Sequence, residues 1–181
     1  QASTSGALPT ISARELRQTQ CRSPRSSSRR DSCRRSNMEV IRLTTFDNET
    51  MQQVDSLLHM LSPKSQPVDS IRLKSLIKEG RLHLFVCRDD NAGIMGMLTL
   101  TCCPTLACNK YWIEDVIVNE AFRGQGAGRA LLRAAVGYAR QELKASCIYL
   151  TSNPSRVQAR ALYRSEGFEE YETGVFRISE I

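Results

Sequence analysis

The chain has 181 residues and is 41 % hydrophobic, enough for one domain with its own core and too short for two of ordinary size. No apolar run approaches the roughly 20 residues of a membrane-spanning helix, and the glycine and proline content excludes a collagen-like or low-complexity chain. The net charge of +6 lies wholly in residues 1–37, which carry eight arginines, no lysine and only Glu15 and Asp31 as acids; residues 38–181 hold 17 basic and 17 acidic side chains. The body is therefore neutral, and neither nucleic acid nor membrane is expected as its partner.

Residues 1–37 are rich in Ser and Arg and cannot bury enough apolar surface to fold, so they read as a disordered leader. An acid-poor, Arg/Ser-rich N-terminus suits an organelle transit peptide. The composition break at Met38 suits upstream sequence before a true start better, and that is the preferred expectation. The domain proper is expected at 38–181. The seven cysteines (Cys21, Cys33, Cys87, Cys102, Cys103, Cys108 and Cys147) include no C-x-x-C pair, and His59 and His83 do not stand at zinc-binding spacing. This predicts no metal site and mostly buried or incidental thiols in a reduced, cytoplasmic compartment.

From Met38 the elements follow in order. Val40–Leu43 reads as a short strand. Asp47 is a good helix N-cap, and Met51, Val54, Leu57, Leu58 and Leu61 follow at helical spacing until Ser62-Pro63 ends the run. A second helix carries Ile71, Leu73, Leu76 and Ile77 and stops at Gly80. Two strands, 82–88 and 94–101, flank a polar hairpin. A loop with Pro104 leads to a strand over 111–118. A helix spans 126–143, with Leu131, Leu132, Ala135, Val136 and Ala139 on one face. Ile148–Leu150 is a strand, Asn153-Pro154 opens a helix that Gly167 ends, and 169–178 reads as a terminal hairpin around Thr173-Gly174. A meander followed by strand–helix–strand–helix–strand predicts an α/β fold with a mixed sheet.

The loop between the 111–118 strand and the long helix is the most informative stretch. Arg123-Gly124-Gln125-Gly126-Ala127-Gly128 places three glycines in five residues at a helix N-terminus, where bare amides and the helix dipole favour a phosphate or pyrophosphate. A nucleotide P-loop would need Lys-Ser/Thr where Arg129-Ala130 stand, and the dinucleotide G-x-G-x-x-G pattern fails at Arg129. What remains is R-x-x-G-x-G. A plain glycine-rich connection is the bland alternative.

With Ile113–Val118 before that loop, Ala130-Leu131-Leu132 after it, and Ala159-Arg160-Ala161-Leu162-Tyr163-Arg164-Ser165-Glu166-Gly167-Phe168 downstream, residues 39–181 resemble the GNAT superfamily of acetyl-CoA-dependent N-acyltransferases. The resemblance implies helices on both faces of the sheet and a central strand splayed from its neighbour. It implies that the pantetheine arm of acetyl-CoA pairs with backbone at Val116, Ile117 and Val118. The amides of Arg123, Gly124, Gln125, Gly126, Ala127 and Gly128 would hold the pyrophosphate. Many members carry Asn seven residues before the tyrosine; here that position is Arg156, which is expected to contact the donor in its place.

Acyl transfer to an amine needs a neutral amine and a thiolate that can leave. An alkylamine with pKa near 10.4 is protonated at neutral pH, so a base must act, whereas a thiol of pKa about 8.5 leaves with little help. Tyr163 occupies the family position beside the sulfur and is the expected acid; packing alone is its bland reading. Glu114 and Asp115 are adjacent acids in an otherwise apolar strand, which alternation points to opposite faces. By analogy with amine acetyltransferases, Glu114 is the expected base, through water, and both acids are candidates for binding the acceptor. Asp69 is a weaker hint of a cationic acceptor. His59 and His83 read as structural, and no Cys/His pair suggests an acyl-cysteine route. The function expected is N-acetylation of a primary amine of a small molecule or peptide by direct attack, in a monomer or homodimer. Alternatives are a non-catalytic acyl-CoA sensor of the same fold and a nucleic-acid binder that uses the leader.

Overall fold

Two aspartates start the first two helices. Asp47 accepts from the Thr50 amide (2.8 Å) and opens α1, Asn48–Leu61. Asp69 accepts from the amides of Ile71 (2.9 Å) and Arg72 (3.1 Å) and opens α2, Ser70–Lys78. Each satisfies orphan donors of a first turn. Asp69 is thereby committed to capping, which explains its presence without an acceptor.

The computed structural model describes residues 38–90 and 93–179; the expectations for 1–37 lie outside the described residues. The strands are β1 (Glu39–Leu43), β2 (Leu82–Asp89), β3 (Gly93–Pro104), β4 (Asn109–Val118) and β5 (Ile148–Leu150), and the sheet order is β1-β2-β3-β4-β5. The first four strands pair antiparallel, and β5 joins β4 in parallel. Two helices follow β4: α3 (Ala127–Gln141) and α4 (Val157–Ser165). This is the expected mixed α/β sheet with helices on both faces.

Alternation along β3 divides the core into two layers. Leu98 and Leu100 pack with Ile113, with Leu131, Leu132 and Ala135 of α3, and with Tyr163 of α4. Met97 packs the other way, with Leu84, Val86, Ile117, Val54 and Leu57 of α1, and Leu73 of α2. Leu131 and Leu132 are fully buried, each worth about 2–3 kcal/mol of apolar burial. The second layer is shorter than the first: it takes Ile117 alone from β4 and nothing from β5 among the described residues.

Two expectations fail. Residues 169–178 form no hairpin. Val175, Phe176 and Ile178 there are exposed, and a hairpin without a face to pack on is marginal. The thiols are not mostly buried either: Cys87 is buried and Cys102 half-buried, but Cys103, Cys108 and Cys147 are exposed, and all five are free. The last three lie near the β3–β4 hairpin and the start of β5, at the edge of the α3-side layer.

Candidate active site

β4 has two halves. Tyr111–Ile113 pair with β3 on one side and with Ile148–Leu150 on the other. From Glu114 onward only β3 remains, because β5 ends at Leu150. A short wedge thus opens beside Glu114–Val118, with backbone groups facing it. It is the splay expected of the central strand.

At the fork the strand bulges. Thr99 pairs with Glu114 and Met97 with Ile117, so Leu98 faces both Asp115 and Val116. Asp115 takes φ +51, a left-handed conformation that costs a non-glycine residue roughly 1–2 kcal/mol. Thr99 Oγ1 donates to Asp115 Oδ2 at 2.9 Å and holds it there. Strict alternation is therefore broken. The two acids do not point to opposite faces; Asp115 turns onto Thr99, the register partner of Glu114. Thr99 is the site residue that sequence reading missed. Paired acids in an apolar strand were the available signal of a bulge.

Glu114 opens to solvent at the wedge, yet the protein packed around it pushes its carboxyl pKa up, and the neighbouring charge of Asp115 adds to this. A carboxylate so shifted is a better base near neutral pH. Tyr163, buried at 5 % exposure, lies in the α3-side layer. Burial raises its hydroxyl pKa, with nearby Arg156 opposing, so the hydroxyl stays protonated as an acid requires. Tyr163 is anchored edge-on against Phe168, with ring centroids 6.2 Å apart. α4 ends in a Schellman turn: Phe168 N–H donates to the Tyr163 carbonyl at 3.0 Å, with Gly167 at φ +86. Glu166 then ties α4 to α3. Its carboxylate accepts from Arg129 Nε and Arg133 Nε, both at 2.7 Å, and these guanidinium groups hold its pKa below the usual range. Arg129 is thus spent on packing.

The glycine loop sits at the open end of the wedge. Asn119 caps the short 3-10 turn Glu120–Phe122 by accepting from the Ala121 amide at 3.1 Å. The chain then turns through Gly124 (φ +78) to Gly126 (φ +91), the N-cap of α3. Gly126 brings no side chain to cap the helix, and the first turn of α3 holds no acid. Its free amides suit an anion. Gly128 serves a different end: a Cβ there would stand 3.2 Å from Leu162 Cδ2, so it lets α3 and α4 pack closely.

Two arginines border the wedge. Arg156 Nη2 donates to the Val116 carbonyl at 3.3 Å, and Arg123 Nε donates to the Val118 carbonyl at 3.3 Å while pairing with Glu120 at 2.8 Å. Both bind backbone that the resemblance assigns to pantetheine. The structure thus ties Arg156 and Arg123 to the carbonyls of Val116 and Val118, on the half of β4 that lacks β5, with the glycine loop following that half in the chain, Glu114 and Asp115 at its bulge, Ile117 in the α1-side layer and Tyr163 in the α3-side layer. His83 stays apart. It is buried at 3 % exposure, edge-on to Tyr138 with centroids 4.9 Å apart, and neither ring nitrogen has a partner among the described residues.

The family model described as "Acetyltransferase (GNAT) family" matches residues 40–168. The chain belongs to the GNAT acetyltransferase family. Its fold is shared by an acetyltransferase from Trypanosoma brucei (20 % identity over 80 % of this chain and 100 % of that one, TM-score 0.65). It is also shared by a glucosamine-6-phosphate N-acetyltransferase from Arabidopsis thaliana (15 % identity, 79 % and 99 % covered, TM-score 0.67). An aminoglycoside acetyltransferase from an uncultured soil metagenomic sample, in complex with trehalose, is similar at 20 % identity, with 80 % and 96 % covered and a TM-score of 0.66. No curated protein sequence matches the chain. The residues present fit a CoA thioester: the uncapped N-terminus of α3 would suit its pyrophosphate, and the half of β4 without β5 would suit its arm.

Proposed function

We propose that this GNAT protein transfers the acetyl group of acetyl-CoA to a primary amine by direct attack. The observation that carries this reading is the fork in β4, where pairing with β5 stops at Ile113 and the strand runs on past Glu114 to the uncapped N-terminus of α3. When bound, acetyl-CoA supplies an acetyl thioester, the electrophile. The residues of the chain supply the rest. Amides of 124–128 hold the pyrophosphate, the Arg123 amide being already bonded to the Glu120 carbonyl at 3.2 Å, and Val116–Val118 orient the arm once Arg156 and Arg123, both on the exposed rim, release their carbonyls. Glu114 takes a proton from the acceptor ammonium, through water, so that the amine lone pair can attack. Tyr163 donates its proton to the sulfur as the carbon–sulfur bond breaks. Asp115 tunes Glu114 through its charge and is itself held by Thr99.

A panel of primary amines and amino-terminal peptides, with CoA thiol release followed at saturating acetyl-CoA, tests this reading. Acetyl-CoA-dependent release with at least one amine is the expected result. Tight acetyl-CoA binding without release from any of them would make the chain an acyl-CoA sensor. Its free thiols suit a reduced compartment.

A further inference from the structure

Among the described residues, the side-chain atoms buried without a hydrogen-bond partner are both ring nitrogens of His83 and the hydroxyl oxygen of Ser152. Leaving such an atom unpaired is destabilising, so each instance calls for a reason. His83 lies on β2 against Tyr138, apart from the fork in β4. Ser152 lies at the fork. It stands two residues beyond Leu150, the last residue of β5 to pair with β4. Two ties bracket it. Upstream, Leu150 is in register with Ile113; downstream, Arg156 Nη2 donates to the Val116 carbonyl at 3.3 Å. On the β4 side, the residues between the same two ties are Glu114 and Asp115.

The segment around Ser152 is anchored. Arg160 Nη1 donates to the Ser152 carbonyl at 3.5 Å and pairs through Nη2 with Glu170 at 2.9 Å. Asn153 Oδ1 accepts from the Ser155 amide at 2.9 Å and from its hydroxyl at 2.8 Å. The backbone carbonyl of Ser152 and the side chain after it are thus satisfied, and its hydroxyl is not. An unpaired hydroxyl on a fixed segment, bracketed with the expected base, suits a group whose partner is the substrate. Val116–Val118 are assigned to the pantetheine arm, which leaves 114–115 for the acyl end. There a serine hydroxyl can donate to the thioester carbonyl oxygen. That oxygen gains negative charge as the amine attacks, so a donor fixed beforehand favours the transition state over the ground state.

We propose that Ser152 is a further catalytic residue: its hydroxyl donates to the carbonyl oxygen of the acetyl thioester and stays with that oxygen while the amine adds and the carbon–sulfur bond breaks. Glu114 and Tyr163 move the protons of the reaction. Ser152 keeps its own, so no further reactant is needed. The proposal rests on the acetyltransferase reading for its chemistry, but ligand binding and stability can be read without turnover.

Ser152→Ala removes the unpaired hydroxyl and little else. Without ligand, its urea midpoint is expected to equal or exceed the parent's, because no protein partner is lost. By calorimetry, acetyl-CoA should bind about fivefold more weakly and CoA as before, since CoA carries no acyl oxygen. Turnover with a good acceptor should fall about 10²-fold, as for the loss of one donor to a developing oxyanion. A midpoint below the parent's would give the hydroxyl a protein partner. An equal loss of affinity for acetyl-CoA and CoA would assign it to the arm, and unchanged acetyl-CoA affinity and turnover would leave it as packing. Each of these overturns the proposal and leaves the acetyltransferase standing. A loss confined to acetyl-CoA, in a protein whose parent releases no thiol with any amine, would keep the Ser152 contact and remove the acetyltransferase reading.

Discussion

The two halves of β4 differ in one physical respect. Residues 111–113 have strands on both sides, so their backbone is fully used in the sheet. Residues 114–118 have a strand on one side only, and their other edge meets arginine side chains instead. The first half contributes packing: Tyr111 and Ile113 are buried. The second carries the strained aspartate, the shifted glutamate and the carbonyls that accept from Arg156 and Arg123. Reactive groups collect where regular pairing stops, because backbone already bonded on both edges has nothing left to offer a substrate.

The donor side of the fork gives the largest expected effect. Gly126→Glu should weaken acetyl-CoA binding by about two orders of magnitude, because its carboxylate would sit over the amides that hold the pyrophosphate. Gly126→Ala is the control. It shares the cost of φ +91 and adds only a methyl, whose nearest neighbour is Met38 Cε at 3.8 Å. Calorimetry on both folded variants checks this, and equal affinities would remove the loop from the site.

On the acceptor side, Glu114→Gln should lower turnover about 10²-fold or more and leave acetyl-CoA affinity unchanged. The same carboxylate sets a pH limb. Its pKa is raised above the ordinary glutamate value by burial first and by Asp115 second, so the base is lost as pH falls through that raised value. The parent rate should therefore climb with pH above the ordinary glutamate range. Asp115→Asn removes the like charge and should shift the limb to lower pH; an unmoved limb would assign it to another group.

Tyr163→Phe keeps the ring on Phe168 and loses only the hydroxyl. Turnover should fall about 10²-fold, the lower end for acid catalysis, since thiolates leave easily, while ground-state binding of acetyl-CoA stays within about twofold. Side-by-side turnover and calorimetry decide this. Turnover close to the parent's would leave Tyr163 as packing and water as the acid.

The smallest effect lies away from the fork, at His83. Burial lowers its pKa from 6.5, with Arg42 adding to the shift, so the folded state keeps the ring neutral while the unfolded chain takes up a proton. Stability is therefore full above about pH 6.5 and falls on acidification, with a slope approaching about 1.4 kcal/mol per pH unit until the folded-state pKa is reached. Urea titrations at several pH values should show this slope in the parent and lose it in His83→Phe.

Much of this was legible in the chain. Asp47 as a cap, Gly167 as a helix stop and the β5 strand at Ile148–Leu150 follow from local rules, since each depends on neighbours a few residues away. The glycine loop was legible for the same reason, from its spacing at a helix N-terminus, whereas Tyr163 was singled out only by the resemblance to the family. Glu114 was legible as an acid out of place in an apolar strand. Asp115 was misread because alternation holds only for a regular ladder, and the bulge is set by how β3 meets β4.

Sequence by itself determined the order of strands and helices up to α4, a consequence of short-range geometry, and its motifs were enough to place the chain in the GNAT family. Tertiary structure alone decided where β5 stops, which carbonyls Arg156 and Arg123 take, that Thr99 holds Asp115, and that the buried Ser152 hydroxyl finds no partner among the described residues. Those features join residues up to 40 positions apart. Such contacts form only when strand register and helix cover are both set, and no local pattern encodes either.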